Sequence, residues 1–148
     1  MDIYIIDTNL LYSAFLNIDS QISQFIISAP AYGVSLYAPR YLEYEISKHR
    51  TKIQLYAGYS DARFARIKQT LFGRVTFIDD DVIPFEEWVI ALRLVRNIDP
   101  EDVNFVALAN FSAETLWTGD RKLYEGLRAK GFERIVMFDE IKQRYGLS

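Results

Sequence analysis

Asp7, Glu45, Asp102 and Asp120 are the residues of this chain best placed to do chemistry together. Asp7 directly follows the β-branched and aromatic run Ile3 to Ile6, which favours a buried strand. A carboxylate at the C-terminal end of a strand lies where sites gather in open α/β sheets. Glu45 shares a helical stripe with Leu42, Ile46 and His49, and an acid on an inward stripe is costly unless paired or metal-bound. Asp102 opens a segment that is apolar nearly all round, Val103 to Ala109. Asp120 follows Trp117-Thr118-Gly119 at the start of the next helical pattern. In a parallel sheet the strand ends share one edge, so these acids would crowd, repel and resist ionising without a partner. A hard divalent cation with oxygen ligands, Mg²⁺ or Mn²⁺, resolves that conflict, and its waters can serve as nucleophile toward a phosphodiester. The competing reading of Asp7, Asp102 and Asp120 is helix N-capping alone, and that of Glu45 is pairing with His49 or an arginine.

The elements that must position these acids alternate along the chain. After the first strand the pattern predicts a helix over Leu10 to Phe15 and another from the cap Asp19-Ser20 to Pro30. A strand over Val34 to Ala38 precedes a helix that Pro39 starts and that runs through Lys48. Gly58 to Ser60 breaks the chain, and Asp61 caps a helix ending at Phe72. Val75 to Ile78 is a strand. Pro84 starts a helix to Val95 with Phe85, Trp88, Val89, Leu92 and Val95 at helical spacing. Then come a helix over Glu101 to Phe111, a strand over Thr115 to Thr118, a helix over Arg121 to Lys130, a strand over Ile135 to Phe138 and a short helix from Asp139. The expected fold is α/β, three layers with a central, mostly parallel sheet, over one domain spanning 1–148.

Composition sets limits. The chain has 148 residues, half of them hydrophobic, enough for a real core. No window holds about 18 consecutive apolar residues, so no membrane span is expected. No basic region precedes the first apolar run, so no signal peptide is expected. Cysteine is absent, which excludes thiolate chemistry and suits a cytoplasmic location. Net charge is −3, but four acids assigned to a metal site leave the rest slightly positive, so a nucleic-acid substrate remains open. His49 is the only histidine, which excludes zinc sites built on paired histidines. Walker A, G-x-G-x-x-G and G-x-S-x-G patterns are missing.

Four stretches in order carry a resemblance: IIDTN at Ile5 to Asn9, APRYLEYEI at Ala38 to Ile46, DPEDVNFVALA at Asp99 to Ala109, and LWTGD at Leu116 to Asp120. Together they resemble a PIN-domain nuclease, over nearly the whole chain. The resemblance implies a PIN-like parallel sheet, Mg²⁺ or Mn²⁺ dependence and endonucleolytic cleavage of RNA by a metal-activated water. Carried over, Asp7, Glu45, Asp102 and Asp120 are the metal-binding, catalytic acids. Asn9 resembles the polar residue that orients the first aspartate, with Thr8 beside it, and Thr118 the hydroxyl residue two before the last acid. Glu43 competes with Glu45, but Glu45 directly precedes the aliphatic Ile46. Asp99 and Glu101 compete with Asp102, whose spacing to Ala107-Leu108-Ala109 fits better.

Many members of this family are VapC-like toxins of toxin–antitoxin pairs, and others act alone on RNA. Both roles stay open here, as do a non-catalytic PIN fold that binds RNA or protein and an antitoxin-bound regulator of transcription. The implied partners are RNA, an antitoxin protein and a second copy in a homodimer. Lys48, His49, Arg50 and Lys52, with Arg63, Arg66 and Lys68 beyond, are candidates to hold RNA phosphates, with Tyr56 and Tyr59 for stacking. Arg121 and Lys122 flank Asp120 and are candidates for the scissile strand. An ordinary solvated helical surface is the competing reading of these charges.

Overall fold

β1 (Asp2–Ile6) runs through the middle of a five-stranded, all-parallel sheet in a computed structural model that describes residues 1–148. Its neighbours are β2 (Val34–Pro39) and β4 (Thr115–Trp117). Beyond them lie β3 (Val75–Ile78) and β5 (Ile135–Val136), giving the order β3-β2-β1-β4-β5. The chain thus steps outward from β1 to β3, then returns past β1 to build the other half. That reversal is a topological switch point between β1 and β4, and it opens a crevice at their C-terminal ends.

Nine α-helices flank the sheet: α1 (Thr8–Leu16), α2 (Gln21–Ser28), α3 (Tyr41–Lys48), α4 (Arg50–Ala57), α5 (Asp61–Phe72), α6 (Phe85–Val95), α7 (Val103–Ser112), α8 (Arg121–Ala129) and α9 (Phe138–Tyr145). Right-handed crossovers put α1 to α5 on one face and α6 to α8 on the other. One cluster of 35 buried apolar residues runs through both layers. On the first face Phe15 stacks on Phe64 at 5.5 Å and meets Phe72 edge-on at 5.9 Å. On the other face α7 lies against β1, β2 and β4. Phe105, Val106, Ala107, Leu108 and Ala109 are all buried there, as its all-round apolar sequence requires.

Several boundaries differ from the sequence reading. Pro39 does not start a helix. It is the last residue of β2, paired with Ile78, where its missing N–H costs no ladder bond because the neighbouring Arg40 N–H bonds Ile78 O at 2.9 Å. Ser60, not Asp61, caps α5: its hydroxyl accepts from Arg63 N–H at 3.1 Å. The stretch after Lys48 forms α4, stopped by Gly58 at φ +73°. Phe138 belongs to α9 rather than β5. Phe85 and Leu92 face outward, 77% and 48% exposed. The face of α6 that packs inward is rotated toward Ala91 and Val95, where a small residue lets α7 approach closely.

α8 also packs unusually near its neighbour. A Cβ on Gly126 would lie 2.5 Å from Ile98 Cδ1 and 2.9 Å from its Cγ1. Gly126→Leu should therefore lower stability by about 1–3 kcal/mol, although leucine is the better helix former. Denaturant unfolding checks this, and an unchanged or higher midpoint would show that Ile98 moves aside freely.

Candidate metal centre

The register of β1 and β4 builds the centre of the site. Ile6 pairs with Trp117, so the next residues of each strand, Asp7 and Thr118, come side by side. The Thr118 hydroxyl donates to Asp7 Oδ2 and accepts the Asp120 N–H at 3.0 Å. Asp7 Oδ1 accepts the Leu10 N–H at 2.9 Å and so caps α1. Asp120 Oδ1 caps α8 by accepting the N–H groups of Lys122 and Leu123. Glu45 reaches in from α3, and its Oε1 accepts the Thr8 hydroxyl at 2.6 Å. Glu43 instead pairs with Arg40 at 2.6 Å.

Asp102 is held differently. It ends a 3-10 turn, Pro100–Asp102, and precedes α7 instead of lying within its first turn. Its side chain caps nothing: Asp102 is only 8% exposed, and its Oδ2 is buried with no hydrogen-bond partner. An orphaned buried carboxylate oxygen is rare and costly unless a ligand completes it. One oxygen each from Asp99, Asp102 and Asp120 lie within 4.8 Å of one another. None of Asp7, Glu45, Asp102 and Asp120 forms an ion pair with lysine or arginine. An all-oxygen donor set with no lysine or arginine bonded to it suits Mg²⁺ or Mn²⁺.

Electrostatics follow from this crowding. Burial pushes Asp102 up to about 8, with the charges of Asp7, Asp99, Asp120 and Glu45 adding to it. Burial likewise pushes Asp7 up to about 6, against the opposing bonds from Thr118 and Leu10. Burial also raises Glu45, opposed by Thr8 and by the charges of His49 and Lys48.

A cavity of about 300 Å³ adjoins these acids. Glu45, Asp99, Glu101 and Asp102 give its lining four acids, joined by Thr8, Asn9, Tyr12, His49 and Lys52. Asn9 makes no bond to Asp7, whose oxygens accept instead from Thr118 and Leu10. Of the basic candidates, His49 and Lys52 line the cavity and Lys48 does not. Arg50 is turned away: it bonds Gln54 and Asp61 and lies over the Phe64 ring at 4.9 Å. Arg121 and Lys122 sit exposed at the start of α8, beside Asp120 but outside the cavity lining. Tyr12 is the cavity residue that the sequence reading missed. It meets the His49 ring edge-on at 5.7 Å, and its helical spacing from Thr8 and Asn9 was the one signal that could have found it.

A family model described as PIN domain matches residues 5–139. The sequence matches no curated protein. Among solved structures the chain is similar to PAE2754 from Pyrobaculum aerophilum, with a TM-score of 0.68 and 18% identity, over 99% of this chain and 91% of that one. It is also similar to VapBC2 from Rickettsia felis, solved bound to a DNA fragment from their promoter, with a TM-score of 0.65 and 14% identity, over 91% and 96% of the two chains. At such identities these likenesses establish the fold.

Because Asp7 and Asp102 are raised, the folded chain holds these protons more tightly than the unfolded chain. Their contribution to stability is therefore greatest at low pH and is lost as pH rises from the ordinary value of 3.8 toward about 8. In chelator, the melting temperature should fall across that range, and Mn²⁺ should restore it most at the alkaline end. A flat profile in thermal melts would contradict this. Thr118→Val removes the Asp7 donor and the Asp120 acceptor together, and should cost about 1–3 kcal/mol in denaturant unfolding.

Proposed function

The chain belongs to the PIN-domain family, and from that premise we propose that it is a metal-dependent endoribonuclease. The observation that carries this reading is the buried, unpartnered oxygen of Asp102 among carboxylates at the switch point. A fold needs no such arrangement for stability, since like charges there oppose it. Asp7, Glu45, Asp102 and Asp120 are the residues that would hold Mg²⁺ or Mn²⁺. When bound, the ion supplies a water of lowered pKa and neutralises charge on the phosphodiester.

The chain's own residues do the rest. Thr118 fixes Asp7 as an acceptor, with its lone pairs aimed rather than free to rotate. Thr8 does the same for Glu45. In the cavity lining, Lys52 and His49 are available to take phosphates beside the scissile bond, and Tyr12 offers a ring to an unpaired base. Arg121 and Lys122, at the rim beside Asp120, are placed for the backbone of the leaving strand. The likeness to VapBC2 supports an antitoxin partner and a toxin role for this domain.

The test incubates purified protein with defined RNAs in Mn²⁺, Mg²⁺ or EDTA. Chelator-sensitive internal cleavage is expected. Asp7→Asn and Asp120→Asn should keep the fold, since asparagine retains the capping oxygen, and lower the rate by at least about a hundredfold. RNA retained without cleavage under every metal condition would replace the enzyme with a binding module.

A further inference from the structure

The chain carries a fifth carboxylate at this centre, and its placement follows from local geometry. Asp99 caps the 3-10 turn, with its Oδ1 accepting the Glu101 N–H at 3.1 Å. Pro100 fixes the first residue of the turn, and Asp102 N–H bonds Asp99 O at 3.1 Å. Asp99 is the extended residue just before the turn and Asp102 is its last, and one oxygen of each lies within 4.8 Å of the other and of one from Asp120. Asp99 and Asp102 are therefore not alternatives for one place: the sequence DPED delivers both to the cavity.

Asp7, by contrast, sits deeper, with both oxygens already accepting bonds. The group of oxygens within 4.8 Å of one another contains Asp99 and neither Asp7 nor Glu45. The unpartnered Oδ2 of the nine-tenths buried Asp102 is the independent sign that this group awaits a ligand. We propose that Asp99 is a further ligand of the divalent ion, shared with Asp102 and Asp120. This rests on the metal-dependent reading above and extends its ligand set by a residue outside the four expected acids.

Mn²⁺ titration of the chelator-stripped full chain, read by electron paramagnetic resonance, tests it without reference to cleavage. Asp99→Asn keeps an oxygen for the Glu101 N–H but loses the charge. It should weaken Mn²⁺ binding on the order of tenfold or more, with a metal-free melting temperature at or above wild type. Asp99→Ser also keeps a capping oxygen and should behave alike. Glu101→Gln removes a nearby charge that lies outside the group and should change affinity far less. Wild-type affinity in folded Asp99→Asn, alongside loss in Asp102→Asn, would overturn the proposal and leave the metal-dependent reading standing. An equal loss in Glu101→Gln would reduce Asp99 to a general contribution to the field and overturn it as well. A wild-type chain that binds no Mn²⁺ would overturn both.

Discussion

Mutual repulsion among carboxylates that have been taken out of water is the constraint on which this structure turns. Asp7 and Asp102 are both buried, which raises the cost of ionising each; the charge of Asp7 adds to that of Asp102, and the charge of Asp120 to that of Asp7. The scaffold answers with neutral donors only: a threonine hydroxyl, backbone amides at helix starts, and no guanidinium or ammonium. Such donors hold the oxygens in place without discharging them, which leaves the charge for a ligand to neutralise. A buried site satisfied by arginine would be more stable and chemically inert.

Much of this was legible from spacing. A strand that ends in Asp7 and another that ends in Thr118 are recognisable by composition. Parallel alternation then implies that their C-terminal ends share an edge. Glu45 was legible because Leu42 and Ile46 point its stripe inward, and both are fully buried. Asp102 was legible from the apolar run that follows it, although the 3-10 turn before α7 was not.

What escaped the sequence was set by tertiary packing. The outward turn of Phe85 depends on how closely α6 can approach α7, which a helical moment cannot encode. Arg50 looks like part of a basic run, yet the start of α4 aims it at Asp61 and Phe64, away from the cavity. Capping and ligation also looked like rival roles for the aspartates. Asp7 and Asp120 do cap their helices, whereas Asp102 does not, and only the side-chain geometry separates them.

The pairing of Ile6 with Trp117 joins residues near opposite ends of the chain. β1 is the middle strand of the sheet, and its second neighbour, β4, follows only after β2, β3 and helices α1 to α7. A nascent chain that lacks β4 has neither the hydroxyl that orients Asp7 nor the amide and carboxylate of Asp120. Loop closure over so long a separation is slow relative to local helix formation. Assembly of the centre therefore waits on the emergence of β4, and a fragment cut between the two strands lacks the Thr118 and Asp120 side of it whatever its local structure.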